Sequence, residues 1–140
     1  MQDYVIVTDS TCDLPQEIVN KLNINIIHYE FTFEGETYLN SLDIDYKKFY
    51  KEIKNGKLPK TTQINSTKYI EFFEPFLKKG FDILFIGLSK ALTGTYSSLN
   101  NAVEELKLNY NNKIIVVDSC SATLGQGLLV YNAFKKKENG

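Results

Sequence analysis

The run Asp82-Ile83-Leu84-Phe85-Ile86-Gly87-Leu88 is the strongest strand signal in this sequence. It is short and apolar and lies between turn residues, which is typical of a buried strand. Comparable runs occur at 4–8, 24–29 and 113–117, and segments with the apolar spacing of helices lie between the runs. This alternation predicts an α/β fold, with a doubly wound, mostly parallel sheet and flanking helices.

One segment departs from the alternation. The stretch 31–39, with Glu34-Gly35 at its middle, predicts a small β-hairpin that forms a flap at the side of the main sheet. The residues 58–65 that follow a later helix predict a loop. At the helix ends, Asp13 is expected to cap the first helix, and Asn65 or Ser66 is expected to cap the helix after the loop.

Composition limits the class of protein. The 140 residues fit one domain, 1–140, and 16 basic against 17 acidic residues give a net charge of −1. This balance argues against nucleic acid as a partner, because no basic excess is present to neutralise phosphates. No apolar run approaches the roughly 20 residues that span a bilayer, and the first residues do not resemble a signal peptide. With two separate cysteines, expected to be free thiols, the sequence predicts a cytoplasmic protein.

Three predicted strands end in loops rich in hydroxyl and acidic groups. The first is followed by Asp9 and Ser10, the central one by Ser89 and then 93–95, and the last by 118–121, which includes Ser119. Ligands of open α/β sheets bind at the carboxyl ends of strands, and the helix N-termini there favour anions. These loops supply donors rather than pairs of nucleophile and base, so they predict an oxyanion-binding site. Each loop alone is better explained by ordinary capping and turn formation, and it is the three loops at one edge of the sheet that suggest a site.

The sequence gives little support to a nucleotide-binding, histidine-dependent or metal site. There is no phosphate-binding loop of the Walker type. The segment Gly125-Gln126-Gly127 matches the start of a dinucleotide fingerprint, but it falls inside a predicted helix, where it indicates close packing. His28, the only histidine, lies in a predicted strand and is expected to be a packed side chain. No spacing of cysteine, histidine and acidic residues supports a metal site, so neither a metal nor a cofactor is expected.

Four segments together resemble the DegV family. They are Thr8-Asp9-Ser10-Thr11-Cys12-Asp13-Leu14-Pro15, Lys60-Thr61-Thr62-Gln63, the stretch 88–98 with Thr93-Gly94-Thr95-Tyr96, and the stretch 117–127. Each segment alone is weak evidence. Their order and spacing across nearly the whole chain make the resemblance specific.

The resemblance implies a non-catalytic carrier that binds a long-chain fatty acid. The tail would lie in a buried apolar tunnel, and hydroxyls and backbone N–H groups would hold the carboxylate. DegV-like proteins present this carboxylate to a separate fatty-acid kinase, which makes an acyl phosphate for phospholipid synthesis. Membrane contact is expected to be transient at most. The chain resembles the N-terminal domain only; the second domain, which supplies a His and an Arg near the carboxylate, is expected to be absent.

The motif match also implies site residues. Thr61 stands where the threonine of the family's TSQ segment lies, and Thr93 stands where the serine of its SGTY segment lies. Thr61, Thr62, Thr93, Gly94 and Thr95 are therefore the expected carboxylate ligands, with Ser10, Ser89 and Ser119 in supporting positions. Thr62 and Thr93 replace serines of the family pattern. Each keeps the hydroxyl and adds a methyl group, which is expected to narrow the carboxylate end of the site.

Two alternatives remain open at the level of sequence. The first is an enzyme domain that acts on a phosphorylated small molecule at the same strand ends, with Asp9 or Asp118 as general base. The second is a half-protein that serves as an interaction or assembly piece. Loss of activity in Asp9→Asn or Asp118→Asn favours the enzyme, and a stable oligomer that holds no ligand favours the assembly piece.

Overall fold

The computed structural model describes residues 3–38 and 44–140. Within these ranges the strands are β1 (Tyr4–Asp9), β2 (Asn25–Ile27), β3 (Glu30–Phe33), β4 (Glu36–Tyr38), β5 (Lys60–Thr62), β6 (Asp82–Gly87) and β7 (Ile114–Asp118). The α-helices are α1 (Gln16–Leu22), α2 (Tyr46–Lys54), α3 (Ser66–Lys78), α4 (Thr95–Asn109) and α5 (Thr123–Asn139). A short 3₁₀ helix, Ser10–Cys12, follows β1.

The main sheet is parallel and has the strand order β2-β1-β6-β7. Successive side chains of a strand point to opposite faces, so Ile6 and Val7 of β1 enter two different cores. Helices α3 and α4 contribute to the core that contains Val7, and α1 and α5 to the core that contains Ile6. The prediction of a doubly wound, mostly parallel sheet with flanking helices is confirmed.

The core between the sheet and helices α3 and α4 is rich in aromatic rings. Tyr69 and Phe73 of α3 are buried and lie 5.8 and 5.9 Å, centroid to centroid, from the ring of Phe85 in β6. Aromatic side chains bury large apolar areas, so these three rings hold α3 firmly against the central strand. The apolar stripe expected in this helix is therefore the face that packs on the sheet.

The predicted hairpin flap forms. Strands β3 and β4 are joined by Glu34 and Gly35, whose φ angles of +53° and +85° are those of a tight hairpin turn. The hairpin belongs to a separate antiparallel sheet, β4-β3-β5, rather than to the main sheet. We call this sheet the flap. The end of the predicted hairpin, Leu39, lies outside the described residues.

The prediction of a loop over 58–65 is wrong for its central residues. Lys60, Thr61 and Thr62 form β5, which pairs with Thr32, Phe31 and Glu30 of β3. The strand is short and polar and all three of its residues are exposed, so it carries no apolar alternation. Its conformation comes from pairing with β3, a long-range contact that the local sequence does not encode.

Two predictions about helix ends had different outcomes. Asn65 caps α3 as expected, since its side chain accepts a hydrogen bond from the N–H of Lys68 at 2.9 Å. The prediction that Asp13 caps α1 is wrong. Asp13 lies in the left-handed region, with φ +48°, at the end of the 3₁₀ helix, and α1 begins only after Pro15. The capping side chain of this segment is Asp9, which accepts from the N–H of Thr11.

Helix α2 packs on the flap rather than on the main sheet. The ring of Phe49 lies 4.9 Å from that of Phe33 and 6.1 Å from that of Phe31. Lys57, just after the helix, pairs with Glu52 at 2.7 Å and also with Glu34 in the hairpin turn. Within the described residues, none of the helices has the length and apolar character needed to cross a membrane.

Candidate anion-binding site

The strand order brings the three predicted loops to one edge of the sheet. Strand β6 lies between β1 and β7, and Gly87 at its end pairs with Asp118 at the end of β7. The N–H of Leu88 donates to the carboxylate of Asp9 at 2.8 Å, and the N–H of Ser89 donates to the carbonyl of Ser121 at 2.9 Å. The loops after β1, β6 and β7 are thus joined directly by hydrogen bonds.

A cavity of about 360 Å³ lies between this edge and the flap. Its lining combines Ser10, Thr11 and Thr61, which carry hydroxyl groups, with the apolar residues Phe31 and Leu88. The remaining lining residues are Asp13, Tyr29, Glu30, Ala122 and Thr123. Hydroxyl donors beside apolar walls are typical of a site for a ligand with a polar head and an apolar body.

Thr61 and Thr62 occupy opposite faces of the flap, although they are neighbours in the motif. Both lie in β5, where consecutive side chains point in opposite directions. Thr61 lines the cavity, whereas Thr62 is not among the lining residues. The structure therefore brings Thr61 to the candidate site and places Thr62 on the other side of the strand.

Thr93, Gly94 and Thr95 form the start of α4. The Thr93 hydroxyl accepts a hydrogen bond from the N–H of Thr95 at 3.2 Å and donates to the Thr95 hydroxyl at 3.0 Å. Thr95 is buried, and its N–H is already engaged by Thr93. None of the three residues lines the cavity directly. Thr93 is the more accessible of the two threonines, and its hydroxyl lies 3.5 Å from the hydroxyl of Tyr29, which does line the cavity.

Tyr29 connects the two parts of the site, and sequence reasoning missed it. Its N–H donates to the Ser10 hydroxyl at 3.0 Å, its ring lines the cavity, and its hydroxyl reaches Thr93. Burial raises the pKa of the Tyr29 phenol, against a smaller opposite effect of its hydrogen bonds to Thr93 and Thr95. The group therefore stays protonated at neutral pH. A lone aromatic residue after a short strand carries no signal that would have identified this role.

Gly94 lies against the side chain of Gln63. A Cβ atom at position 94 would lie 2.7 Å from the side-chain nitrogen of Gln63, so a larger residue there would displace that side chain. Gln63 follows Thr62 directly, so this contact joins the segment that carries Thr61 to the segment that carries Thr93. Two of the four segments quoted above are thus held together by a glutamine and a glycine.

The three serines at the strand ends have different surroundings. Ser10 lines the cavity. The hydroxyl of Ser89 accepts from the N–H of Ala91 at 3.3 Å, and that of Ser119 accepts from the N–H of Ser121 at 3.2 Å while donating to the Ser121 carbonyl. Ser89 and Ser119 are buried and stabilise their own turns. The structure brings Ser10 to the cavity and does not bring Ser89 or Ser119 there.

The two candidate general bases are occupied by hydrogen bonds within the protein. Asp9 is 1% exposed and accepts from Leu88, from the N–H and hydroxyl of Thr11, and from the side-chain amide of Gln126. Asp118 accepts from the N–H groups of Cys120 at 2.9 Å and Lys90 at 3.3 Å. Both carboxylates therefore fix the loops at the sheet edge, and neither lines the cavity.

The Gly125-Gln126-Gly127 segment packs closely, as predicted, but its partner is the 3₁₀ helix rather than a strand. A Cβ atom at 127 would lie 2.5 Å from the carbonyl oxygen of Cys12.

Within the described ranges, no three acidic, cysteine or histidine side chains converge on a point where a metal could bind. His28 lines a separate cavity with Lys68 and Phe72. Cys12 is buried and Cys120 exposed, and both are free thiols as expected.

The hydroxyl of Tyr96 is a donor without a partner among residues 3–38 and 44–140. It is buried close to Gly87, where a Cβ atom would lie 3.2 Å from the hydroxyl oxygen. Burial raises the pKa of this phenol, so it is also protonated at neutral pH. An unpaired buried donor at the end of β6 is a group that a bound molecule or water can satisfy.

Comparison with known proteins identifies the family. The DegV family model, described as covering uncharacterised proteins, matches residues 3–140. A DegV domain-containing protein of Clostridium perfringens is 41% identical over 143 residues, which is 100% of this chain and 49% of that protein. The chain spans about half the length of the curated relatives it matches.

Solved structures agree with this assignment. A stearic acid-binding protein from Eubacterium ventriosum superimposes with a TM-score of 0.87 at 30% identity, over 98% of this chain and 48% of that one. DegV of Bacillus subtilis, described as a fatty acid binding protein, superimposes with a TM-score of 0.82 at 32% identity, over 100% of this chain and 49% of that one. The chain therefore belongs to the DegV family.

Proposed function

We propose that this chain binds a fatty acid by its carboxylate, at the cavity between the sheet edge and the flap. The observation that carries the proposal is the composition of one wall. Ser10 and Thr61, which carry hydroxyl groups, line the same cavity as the apolar residues Phe31 and Leu88. The fatty acids bound by the solved relatives have the same division into a polar head and an apolar tail.

The physical chemistry of the site supports an anionic head group. The hydroxyls of Ser10 and Thr61 can donate to an oxyanion, and that of Thr93 can do so when its proton turns from the Thr95 hydroxyl to the ligand. The start of α4, where Gly94 lies, adds the partial positive charge of a helix N-terminus. A partly desolvated carboxylate is well held when it accepts two or three such bonds. Each methylene buried along the apolar wall would then contribute about 0.8 kcal/mol.

The enzyme alternative gains no support from the site. A general base needs a lone pair directed at the substrate, within hydrogen-bond reach. The carboxylates of Asp9 and Asp118 instead accept hydrogen bonds from the loops that they join. The arrangement is that of a binding site, built from donors, and we propose that the chain is a non-catalytic carrier.

We further propose that the bound fatty acid is presented to a partner fatty-acid kinase. This proposal rests on the resemblance to DegV-like carriers. It concerns a protein of the relatives' full length, of which this chain spans about half. Purified kinase, ATP and fatty acid would be incubated with and without the carrier, and acyl phosphate would be measured. The proposal expects product only with the carrier; equal product in its absence contradicts it.

Competition between a fatty acid and the fatty alcohol of equal length tests carboxylate binding directly. Both ligands bury the same chain, and only the acid carries the oxyanion. We expect the alcohol to bind at least about tenfold more weakly, because hydrogen bonds to a charged group contribute about 1.5–3 kcal/mol. Equal affinities would mean that the hydroxyl groups do not hold the head group. Organic extraction of protein purified without detergent, followed by mass spectrometry, identifies the natural ligand.

A further inference from the structure

The segment 45–60, which we call the basic segment, has a charge opposite to that of the rest of the chain. It contains six lysines and two acidic residues, a net charge of +4, whereas the whole chain has a net charge of −1. It consists of α2 and the residues that lead from α2 into β5. The basic segment is therefore a local excess of positive charge beside the flap.

The basic segment also exposes large apolar side chains. One side of α2 packs on the flap through Phe49. Tyr46 and Tyr50 remain 46% and 60% exposed, and Leu58, beyond the helix, is 79% exposed. Tyr50 stands three residues after Lys47 and four before Lys54, so these lysines are its neighbours on the helix surface. Aromatic and aliphatic tips among lysines are typical of helices that lie at a membrane surface.

The lysines of α2 are available to an external partner. Lys57 is neutralised by Glu34 and Glu52, and these pairs fix the orientation of the segment on the flap. Within residues 3–38 and 44–140, the lysines of α2 form no ion pair; they are Lys47, Lys48, Lys51 and Lys54. All four are exposed. Their charge is thus directed outwards.

The basic segment is adjacent to the candidate ligand cavity. Phe31 lines that cavity, and its ring is also 6.1 Å from the ring of Phe49 in α2. One side chain therefore lies between the basic segment and the cavity. A surface that binds the basic segment is held close to the place where we propose that the fatty acid head group lies.

We propose that the basic segment docks this protein on an anionic lipid membrane, with Tyr46, Tyr50 and Leu58 in the headgroup region and the lysines of α2 against the lipid phosphates. Only the purpose of this docking rests on the proposed function. Docking would place the cavity at the membrane, where a fatty acid could enter and leave the protein. The charge complementarity and the exposed apolar tips favour a lipid surface. The exposed lysines of α2 can approach the lipid phosphates from the outer side of the helix.

Vesicle flotation tests the proposal with the protein as it is. Vesicles of phosphatidylcholine alone and of phosphatidylcholine mixed with phosphatidylglycerol are compared at low and high salt. We expect binding to the anionic vesicles only, and its loss at high salt, because charge attraction at a surface is screened within a Debye length. Each lysine near such a surface contributes about fivefold in affinity. Absence of binding to anionic vesicles at low salt overturns the proposal.

Two matched variants locate the surface. Changing all four lysines of α2 to Gln is expected to lower vesicle affinity by at least about fiftyfold. The control changes four other exposed lysines without recorded ion pairs to Gln and has the same net charge; they are Lys21, Lys79, Lys113 and Lys136. The control is expected to bind vesicles much as the unaltered protein does. Equal loss in both variants overturns the proposal.

A second pair of variants separates the apolar contribution. Leu58→Ser is expected to weaken vesicle binding several-fold. Leu128→Ser, at a comparably exposed leucine of α5, is expected to leave it unchanged, and the reverse result overturns the proposal. Fatty-acid affinity in solution and the unfolding midpoint are measured for every variant. We expect both to be unchanged, so a failure of vesicle docking is distinguishable from a failure of the proposed ligand site or of folding.

Discussion

The side-chain amide of Gln126 donates to the carboxylate of Asp9 at 3.1 Å, and it also donates to the hydroxyl of Thr8 at 3.0 Å. Its oxygen lies 2.8 Å from the hydroxyl of Thr11, whose one proton is shared between this oxygen and the Asp9 carboxylate. Gln126 lies in α5, whereas Thr8 and Asp9 end β1 and Thr11 lies in the 3₁₀ helix that follows, more than a hundred residues away in the chain. One fully buried glutamine therefore joins the last helix to the first strand and its loop.

Gln126→Leu is expected to lower the free energy of unfolding by about 2–3 kcal/mol, because it removes hydrogen bonds to the buried or partly buried polar groups of Thr8, Asp9 and Thr11. Urea denaturation measures the change. The matched control is Gln16→Leu, which removes an amide that bonds Asn20 on the exposed surface of α1. It should cost no more than about 0.5 kcal/mol. Equal effects of the two substitutions would mean that the buried network contributes nothing.

Gly127→Ala is expected to destabilise the protein by about 2 kcal/mol, through overpacking. The added methyl group would meet the carbonyl oxygen of Cys12 at 2.5 Å, and a backbone atom cannot move aside as a flexible side chain can. Gly125→Ala is the control, two residues away in the same helix. Its methyl group meets only the Ser121 side chain at 3.3 Å, and alanine favours the helix, so a change within about 1 kcal/mol is expected. Thermal unfolding of both variants distinguishes close packing from a general intolerance of α5 to alanine.

The two thiols are expected to differ strongly in reactivity. Cys120 is exposed, whereas Cys12 is buried, and burial raises the pKa of the Cys12 thiol. Thiolates are the reactive species, so a thiol reagent at neutral pH should modify Cys120 quickly and Cys12 only on unfolding. Because the folded state holds the Cys12 proton more tightly, stability should fall as pH rises above the pKa of the unfolded thiol, about 8.5.

The variant Cys120→Ser provides the check on this prediction. It should remove the fast phase of thiol modification and leave the slow phase. Rapid modification of Cys12 in this variant would mean that the contact between the 3₁₀ helix and Gly127 of α5 opens readily. The same measurement therefore reports on the packing that the Gly127→Ala substitution disrupts.

The main sheet was predictable because its strands carry their own signal. The run 82–88 is apolar from Ile83 onwards and pairs with strands of similar character on both sides. Strand β5 was not predictable, because Lys60, Thr61 and Thr62 are polar and acquire their conformation by pairing with β3. Apolar patterns in a sequence indicate which residues are buried. Strand β5 is exposed, so it leaves no such pattern.

The same distinction applies to the candidate site. Loops rich in hydroxyl groups after β1, β6 and β7 were sufficient to predict the edge of the sheet at which the cavity lies. The choice among the hydroxyls depends on side-chain direction, which separates Thr61 from Thr62 and Ser10 from Ser89. Tyr29 contributes through a strand end that is distant in sequence from Thr93, so no motif contains both residues.

Thr93→Val is expected to lower fatty-acid affinity about five- to a hundredfold, because it removes a hydroxyl donor from a charged acceptor while nearly keeping the volume of the side chain. Thr61→Val should have a similar effect, since Thr61 lines the cavity. Thr62→Val makes the same chemical change on the opposite face of β5 and should leave affinity unchanged. Isothermal titration with a long-chain fatty acid measures all three.

Thr93 has a second role that the experiment must separate from ligand binding. Its hydroxyl accepts from the N–H of Thr95, so Thr93→Val also removes a hydrogen bond at the start of α4 and should lower stability by about 1 kcal/mol. Thr93→Ser keeps the hydroxyl and should preserve both stability and affinity. If Thr93→Ser loses affinity as Thr93→Val does, the methyl group rather than the hydroxyl is what the ligand requires. If Thr62→Val weakens binding as much as Thr61→Val, the ligand does not lie on the cavity side of the flap.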